Sequence, residues 1–114
     1  MAVIQKMFDA WDAGDKDAVE KLVHDDFIMT SHAQSTKTSK QEMLNWMDGP
    51  SPKTDKFRII YENDDIAVCH QFMEFESGAK EAVMIVYVFK DGQIYSMETG
   101  VSPMSFISNF HVKI

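Results

Sequence analysis

Apolar residues recur at helical spacing from the start of the chain. Val3, Ile4, Met7, Phe8 and Trp11 share one side, while Gln5, Lys6, Asp9 and Asp12 fill the other. This predicts an amphipathic helix that ends at Gly14. Asp15 is placed to cap a second helix, because its carboxylate can accept from the free amides of the first turn. The buried stripe of that helix is expected to be Ala18, Val19, Leu22 and Val23. After Asp25 and Asp26 the helical period is lost, and Phe27 to Ser31 combine large and β-branched side chains, which predicts a short strand. A polar stretch from His32 to Thr38 follows. Ser39, Lys40, Gln41 and Glu42 then form a capping box, and Met43, Leu44, Trp46 and Met47 supply the apolar side of a third helix. Gly49, Pro50 and Pro52 stop it.

From Lys56 onward the pattern is that of strands. Breaks at Asn63-Asp64-Asp65, Ser77-Gly78 and Asp91-Gly92 read as hairpin turns. They divide the segment into strands near Lys56 to Glu62, Ile66 to Glu76, Lys80 to Lys90 and Gln93 to Val101, joined closely enough to pair as an antiparallel meander. Ala82, Met84, Val86 and Val88 alternate with Val83, Ile85, Tyr87 and Phe89, so both faces of one strand are apolar and neither is expected to face only water. The tail from Ser102 to Ile114 carries Phe106, Ile107, Phe110 and Val112 and fits an edge strand, a short helix or a dimer contact.

A chain of 114 residues suits one domain, because two cores of half that length would each bury too little surface. A formal charge of −7 repels phosphate backbones and anionic headgroups, so nucleic acid and membrane surfaces are not expected partners. Cys69 is the only cysteine, which excludes an intrachain disulfide and a multi-thiolate metal site and fits a reducing, cytoplasmic setting. No stretch has the uninterrupted apolar run of a signal peptide or a membrane span.

The order helix, helix, strand, helix and four meander strands resembles the nuclear transport factor 2-like superfamily, which includes SnoaL-like cyclases, ketosteroid isomerase and scytalone dehydratase. The residues that carry the resemblance are Trp11 to Asp15, Leu22 to Phe27, Ser39 to Met43 and Phe89 to Ile94. It implies an α+β fold over residues 1–114, with three N-terminal helices packed on a strongly curved antiparallel sheet, a cone-shaped α+β barrel open at one end. It also implies a homodimer that meets through the outer face of the sheet.

The best-understood chemistry of that family is proton transfer beside a carbonyl, by a carboxylate base and two acid donors. In this chain the base position falls on Ser31, one donor position on Met7, and the other on Ile85 or Tyr87. An ordinary hydroxyl cannot replace a carboxylate as base at neutral pH, so the isomerase mechanism is rejected. Alternation places Val68, His70, Phe72 and Glu74 on one strand face, where Glu74 could orient His70 as an acid or base; the alternative is a packed core histidine with Glu74 in water. The expected catalytic set is His70, Ser31, Tyr87, His32 and Glu74. Ser31 and His32 are not expected to act as a relay, since neighbours on a strand point to opposite faces. The expected pocket lining is Met7, Trp11, Met29, Trp46, Val68, Phe72, Met97 and Thr99, suited to a small apolar organic ligand. No cofactor and no metal are expected, because His32, His70, His111 and the carboxylates lack ligand spacing.

Overall fold

The structure is a computed structural model that describes residues 3–50 and 52–104. Helix α1 (Val3–Asp12) buries Ile4, Met7 and Ala10 and ends in a left-handed Gly14. There the amide of Gly14 donates to Trp11 and that of Asp15 to Ala10, a closure that needs the positive φ glycine supplies. Helix α2 (Lys16–Leu22) is capped by Asp15, whose carboxylate accepts from Ala18 N–H at 3.2 Å. Strand β1 (Val23–Ser31) begins four residues earlier than the pattern suggests: Val23 is already extended, yet fully buried. Its burial is what made it look like part of the helical stripe. His24 therefore lies outside α2; its Nδ1 accepts from Asp26 N–H, and its ring meets Tyr95 edge-on.

A turn with Ser35 at positive φ leads into β2 (Thr36–Ser39), a strand at the end of the polar stretch that runs up to the cap of the third helix. Helix α3 (Lys40–Trp46) follows with its capping box complete: Ser39 Oγ accepts from Glu42 N–H at 3.3 Å, and the Glu42 carboxylate accepts from Ser39 N–H at 3.1 Å. The Ser39 amide, and after it the hydroxyl, hold the Glu42 carboxyl below its ordinary range. That contribution is complete above the usual glutamate range and is lost as pH falls through the lowered value. Ser39→Ala is expected to cost about 1 kcal/mol, read as a lower urea midpoint with an unchanged slope. Lys40 reaches back to β1, donating to the Val23 carbonyl and to Asp25, whose carboxyl it holds below the usual aspartate range.

The remaining strands are β3 (Lys53–Glu62), β4 (Ile66–Glu74), β5 (Lys80–Lys90) and β6 (Gln93–Met104). They form the expected antiparallel meander, with β3 and β6 longer than read, and β4 shorter. Asp91 and Gly92 both take positive φ, the two-residue turn whose twist matches the flanking strands. Of the tail, Ser102 to Met104 continue β6; Phe106, Ile107, Phe110 and Val112 lie outside the described residues.

The sheet corrects the expected architecture. Among the described residues it has six strands in the order β2-β1-β6-β5-β4-β3 and is open, with β2 and β3 at its edges. It is mixed rather than antiparallel, because β1 runs parallel to β6, with a register shift between the Val23 and Ile28 pairings. One face packs under the helices. Val19, Val23, Phe27, Ile85 and Ile94 are fully buried there, and Phe8 stacks on Phe57 at 4.3 Å, fixing α1 to β3. Glu62 Oε2 accepts from the amide of Val3 at 2.8 Å, satisfying a free donor at the start of α1.

Candidate functional site

Side chains of directly paired residues share a face, so register and burial together sort the sheet into inner and outer sides. Inner rows run Met29, Met97, Tyr87, Ala67 and then Ser31, Thr99, Ile85, Cys69, Ile59; toward the Ser77-Gly78 hairpin they continue with Val101, Val83, Gln71 and with Pro103, Glu81, Met73. Ala67, Cys69, Val83, Ile85 and Tyr87 are buried, whereas Gln71, Met73, Glu81 and Val101 nearer the hairpin, and Met29, Ser31 and Met97 on the β1–β6 side, are only half-buried. The inner face is thus least covered toward the hairpin and toward β1.

The inner face is apolar with a few hydroxyls. Ser31 and Thr99 stand side by side on parallel strands, Thr38 pairs with Met29, and Tyr87 pairs with Met97. Burial, with the Cys69 sulfur beside it, pushes the Tyr87 hydroxyl far above its ordinary range. Burial, and secondarily Glu62, pushes the Cys69 thiol up to about 12. Both are neutral donors near pH 7. Native Cys69 is accordingly expected to resist iodoacetamide at pH 8 and to be labelled only as fast as the chain unfolds, which mass spectrometry across a denaturant series checks. Two inner-face carboxylates flank the hydroxyls without adjoining them. Glu62 is occupied at Val3, and Glu81 lies at the open end, about 13 Å along β5 from the Ser31–Thr99 row at roughly 3.3 Å per residue.

The expected site therefore divides in two. Met7, Trp11, Met29, Ser31, Tyr87, Met97 and Thr99 belong to the helix-covered side. Val68, His70, Phe72 and Glu74 are corrected to the opposite face, where they pair with Val86, Met84, Ala82 and Lys80. His70 and Tyr87 cannot meet in one site, because the sheet lies between them. Glu74 and Lys80 flank the hairpin as a charged pair on this same face, which is the sequence signal that it is the solvent side. His32 is also outward, and its Nε2 hydrogen-bonds the Glu98 carboxylate. Trp46 is 48% exposed. At about 100° per residue it lies some 160° from Leu44, whereas Met47 falls between Met43 and Leu44. Thr38, Gln71, Met73 and Glu81 are inner-side residues that the pattern did not single out.

Two surface depressions lie elsewhere. One, of about 450 Å³, is at the free end of the sheet between Lys53, Lys56, Phe72, Glu74, Lys80 and Met104, where a bulge puts Lys56 at positive φ with its amine 6.0 Å from the Phe72 ring. The other, of about 310 Å³, lies between Val3, Asn63, Asp64, Phe89 and Gly92.

Three helices on one face of an open, six-stranded mixed sheet make the fold of nuclear transport factor 2-like proteins. Solved structures agree: an NTF2-like protein of unknown function from Burkholderia xenovorans has a TM-score of 0.73 at 16% identity, covering 97% of this chain and 88% of that one. A candidate ketosteroid isomerase from Kribbella flavida has a TM-score of 0.73 at 10% identity, covering 91% and 78%. A candidate polyketide cyclase from Streptomyces antibioticus has a TM-score of 0.62 at 14% identity, covering 88% and 89%. These likenesses concern the fold. The family model described as SnoaL-like domain matches residues 4–97, and the chain belongs to that family. Comparison with curated proteins gives no match.

Proposed function

We propose that this chain binds a small, mainly apolar and uncharged organic molecule between its helices and the inner face of its sheet, in a cone-like hollow open toward the Ser77-Gly78 hairpin. The observation that carries the reading is the partly buried inner side: Met29 and Met97 stand in the row next to the Ser31–Thr99 hydroxyl pair, and Trp11, Met47 and Met73 are partly buried against the same core. Methionines adapt to irregular apolar shapes, and a few placed hydroxyls orient a ligand through one or two of its oxygens. Proton transfer to or from such a ligand has to use Ser31, Thr99 or Tyr87 as donors, or Glu81 at the mouth; His70 and Glu74 take no part. The neighbouring isomerase and cyclase assignments fit a cyclic carbonyl compound as the ligand class.

The test uses Trp46→Phe, which leaves Trp11 as the sole tryptophan, titrated with a neutral naphthyl ketone. Saturable quenching of Trp11 is expected, weakened by Ser31→Ala combined with Thr99→Val. Unchanged Trp11 emission, together with native mass spectra free of any copurifying small molecule, would count against the reading.

A second reading concerns assembly. The outer face leaves Ile28, Val88 and Ile66 exposed in one row and Met84 exposed four residues along β5 from Val88, an apolar surface on an open sheet, which favours a homodimer that covers it.

A further inference from the structure

Among the described residues three non-glycine positions take positive φ. Ser35 and Asp91 sit in turns, whereas Lys56 sits inside a strand. A left-handed backbone strains a residue that carries a side chain, and glycine would adopt it at less cost. The irregularity falls between the Asp55 and Arg58 pairings, where β3 takes three steps against two on β4. An extra residue of this kind re-aims a side chain. Here it brings the Lys56 amine over the Phe72 ring of the next strand, 6.0 Å from the centroid. That separation is the outer limit of cation–π attraction, so the ring alone does not account for the placement.

Phe72 forms part of the depression of about 450 Å³ at the free end of the sheet, with Met73 and Met104 as its other apolar members. The ring is held from one side by His70, which meets it edge-on at 5.0 Å. Lys53, Glu74, Lys80 and Met104 form one row across the strands, so two amines flank one carboxylate. The other carboxylate, Asp55, stands opposite Phe72. Three amines against two carboxylates leave the depression positive in a chain whose formal charge is −7. Arg58, the only arginine, adds to it from the next row. None of the three lysines is in an ion pair among the described residues.

We propose that this depression is a ligand site separate from the inner hollow and that it takes a small aromatic carboxylate, its ring against Phe72 and its carboxylate between the amines of Lys56 and Lys80. An aromatic ring offset on Phe72 uses the apolar floor, and the amines supply charge-assisted hydrogen bonds to one anionic group. Glu74 and Asp55 repel a ligand of higher negative charge, a neutral ring leaves the amines unused, and a cation is repelled by them. The inner hollow differs in both respects, since it lies on the opposite parity of the strands and takes an uncharged molecule. The exposed apolar row at Val88 is clear of the site as well, about 26 Å along β5 from Lys80 at roughly 3.3 Å per residue.

The experiment is an amide NMR titration of the full chain with 2-naphthoate at pH 7.5, in low salt and in about 0.3 M salt. Saturable shifts are expected at the amides of Lys53 to Lys56 and Phe72 to Lys80, with a dissociation constant below about 1 mM that rises with salt. Lys56→Gln combined with Lys80→Gln should weaken binding about twentyfold, whereas Glu74→Gln, which removes a competing carboxylate, should tighten it about threefold. A structural disturbance does not move the two in opposite directions. All three side chains are exposed, so the spectrum away from the site should stay as in the wild type. Ser31→Ala combined with Thr99→Val should bind naphthoate unchanged, and the neutral naphthyl ketone should not displace it. Absence of saturable shifts, shifts centred elsewhere, or a double lysine variant that binds like the wild type overturns the proposal. Naphthoate that the ketone displaces, or that the Ser31 and Thr99 variant loses, occupies the inner hollow; that result removes the separate site and leaves the function proposed above standing.

Discussion

Phe27→Ala is expected to lower stability by about 3–5 kcal/mol, a large part of the roughly 5–15 kcal/mol that holds a domain of this size. Phe27 is 1% exposed and heads the set of largest fully buried side chains. It lies on β1 within the irregular stretch between the Val23 and Ile28 pairings, where the backbone departs from regular register. A methyl group there leaves a cavity beneath the helices that neighbouring strands cannot close without breaking β1–β6 hydrogen bonds. Urea unfolding followed by circular dichroism checks the result. A loss below about 1 kcal/mol would mean that the site collapses around the smaller side chain.

Met97→Arg should abolish probe binding while sparing the fold. Met97 stands on the inner face between Met29 and Tyr87 and is half-buried. An arginine can lay its methylenes along the same wall and send its guanidinium toward the open end, so a smaller loss of stability than for Phe27→Ala is expected. The charge then sits in the proposed binding space and cannot be stripped of water by an uncharged ligand. Affinity for the naphthyl ketone should fall at least about 100-fold, equivalent to roughly 2.7 kcal/mol. Trp11 emission under titration reads the change, and the thermal transition reports the fold. Undiminished quenching would place the binding site away from Met97.

The reason the lining was half-legible lies in β4. Ala67, Cys69, Gln71 and Met73 alternate with Val68, His70, Phe72 and Glu74, and both sets mix apolar with polar residues. Period two establishes which residues travel together but not which set faces the helices, and a choice of the wrong set turns every side chain over at once. The charges settle it. Lys80 and Lys90 bound β5 on the parity that pairs with Glu74, so that parity belongs to the outside. Weight given to those charges, rather than to the histidine, points to Ala67 and Cys69 as the small residues packed beneath the helices.

The parallel contact of β1 with β6 was beyond local reading for a different reason. It joins residues some seventy positions apart, and no turn connects the two strands. Likewise β2 is a four-residue strand of Thr, Lys, Thr and Ser whose only pairing partner among the described residues is β1. Its residues are as common in loops as at a sheet edge.

By itself the sequence determined the helix caps at Asp15 and Ser39, the three hairpin breaks, the α+β class and the absence of a carboxylate at Ser31, because each depends on residues within a few positions of one another. Tertiary structure decided the mixed strand order, the open edges, and the separation of His70 from Tyr87 by the thickness of the sheet. Those depend on which face the helices cover, and that choice is made by packing across the whole chain rather than by any local preference.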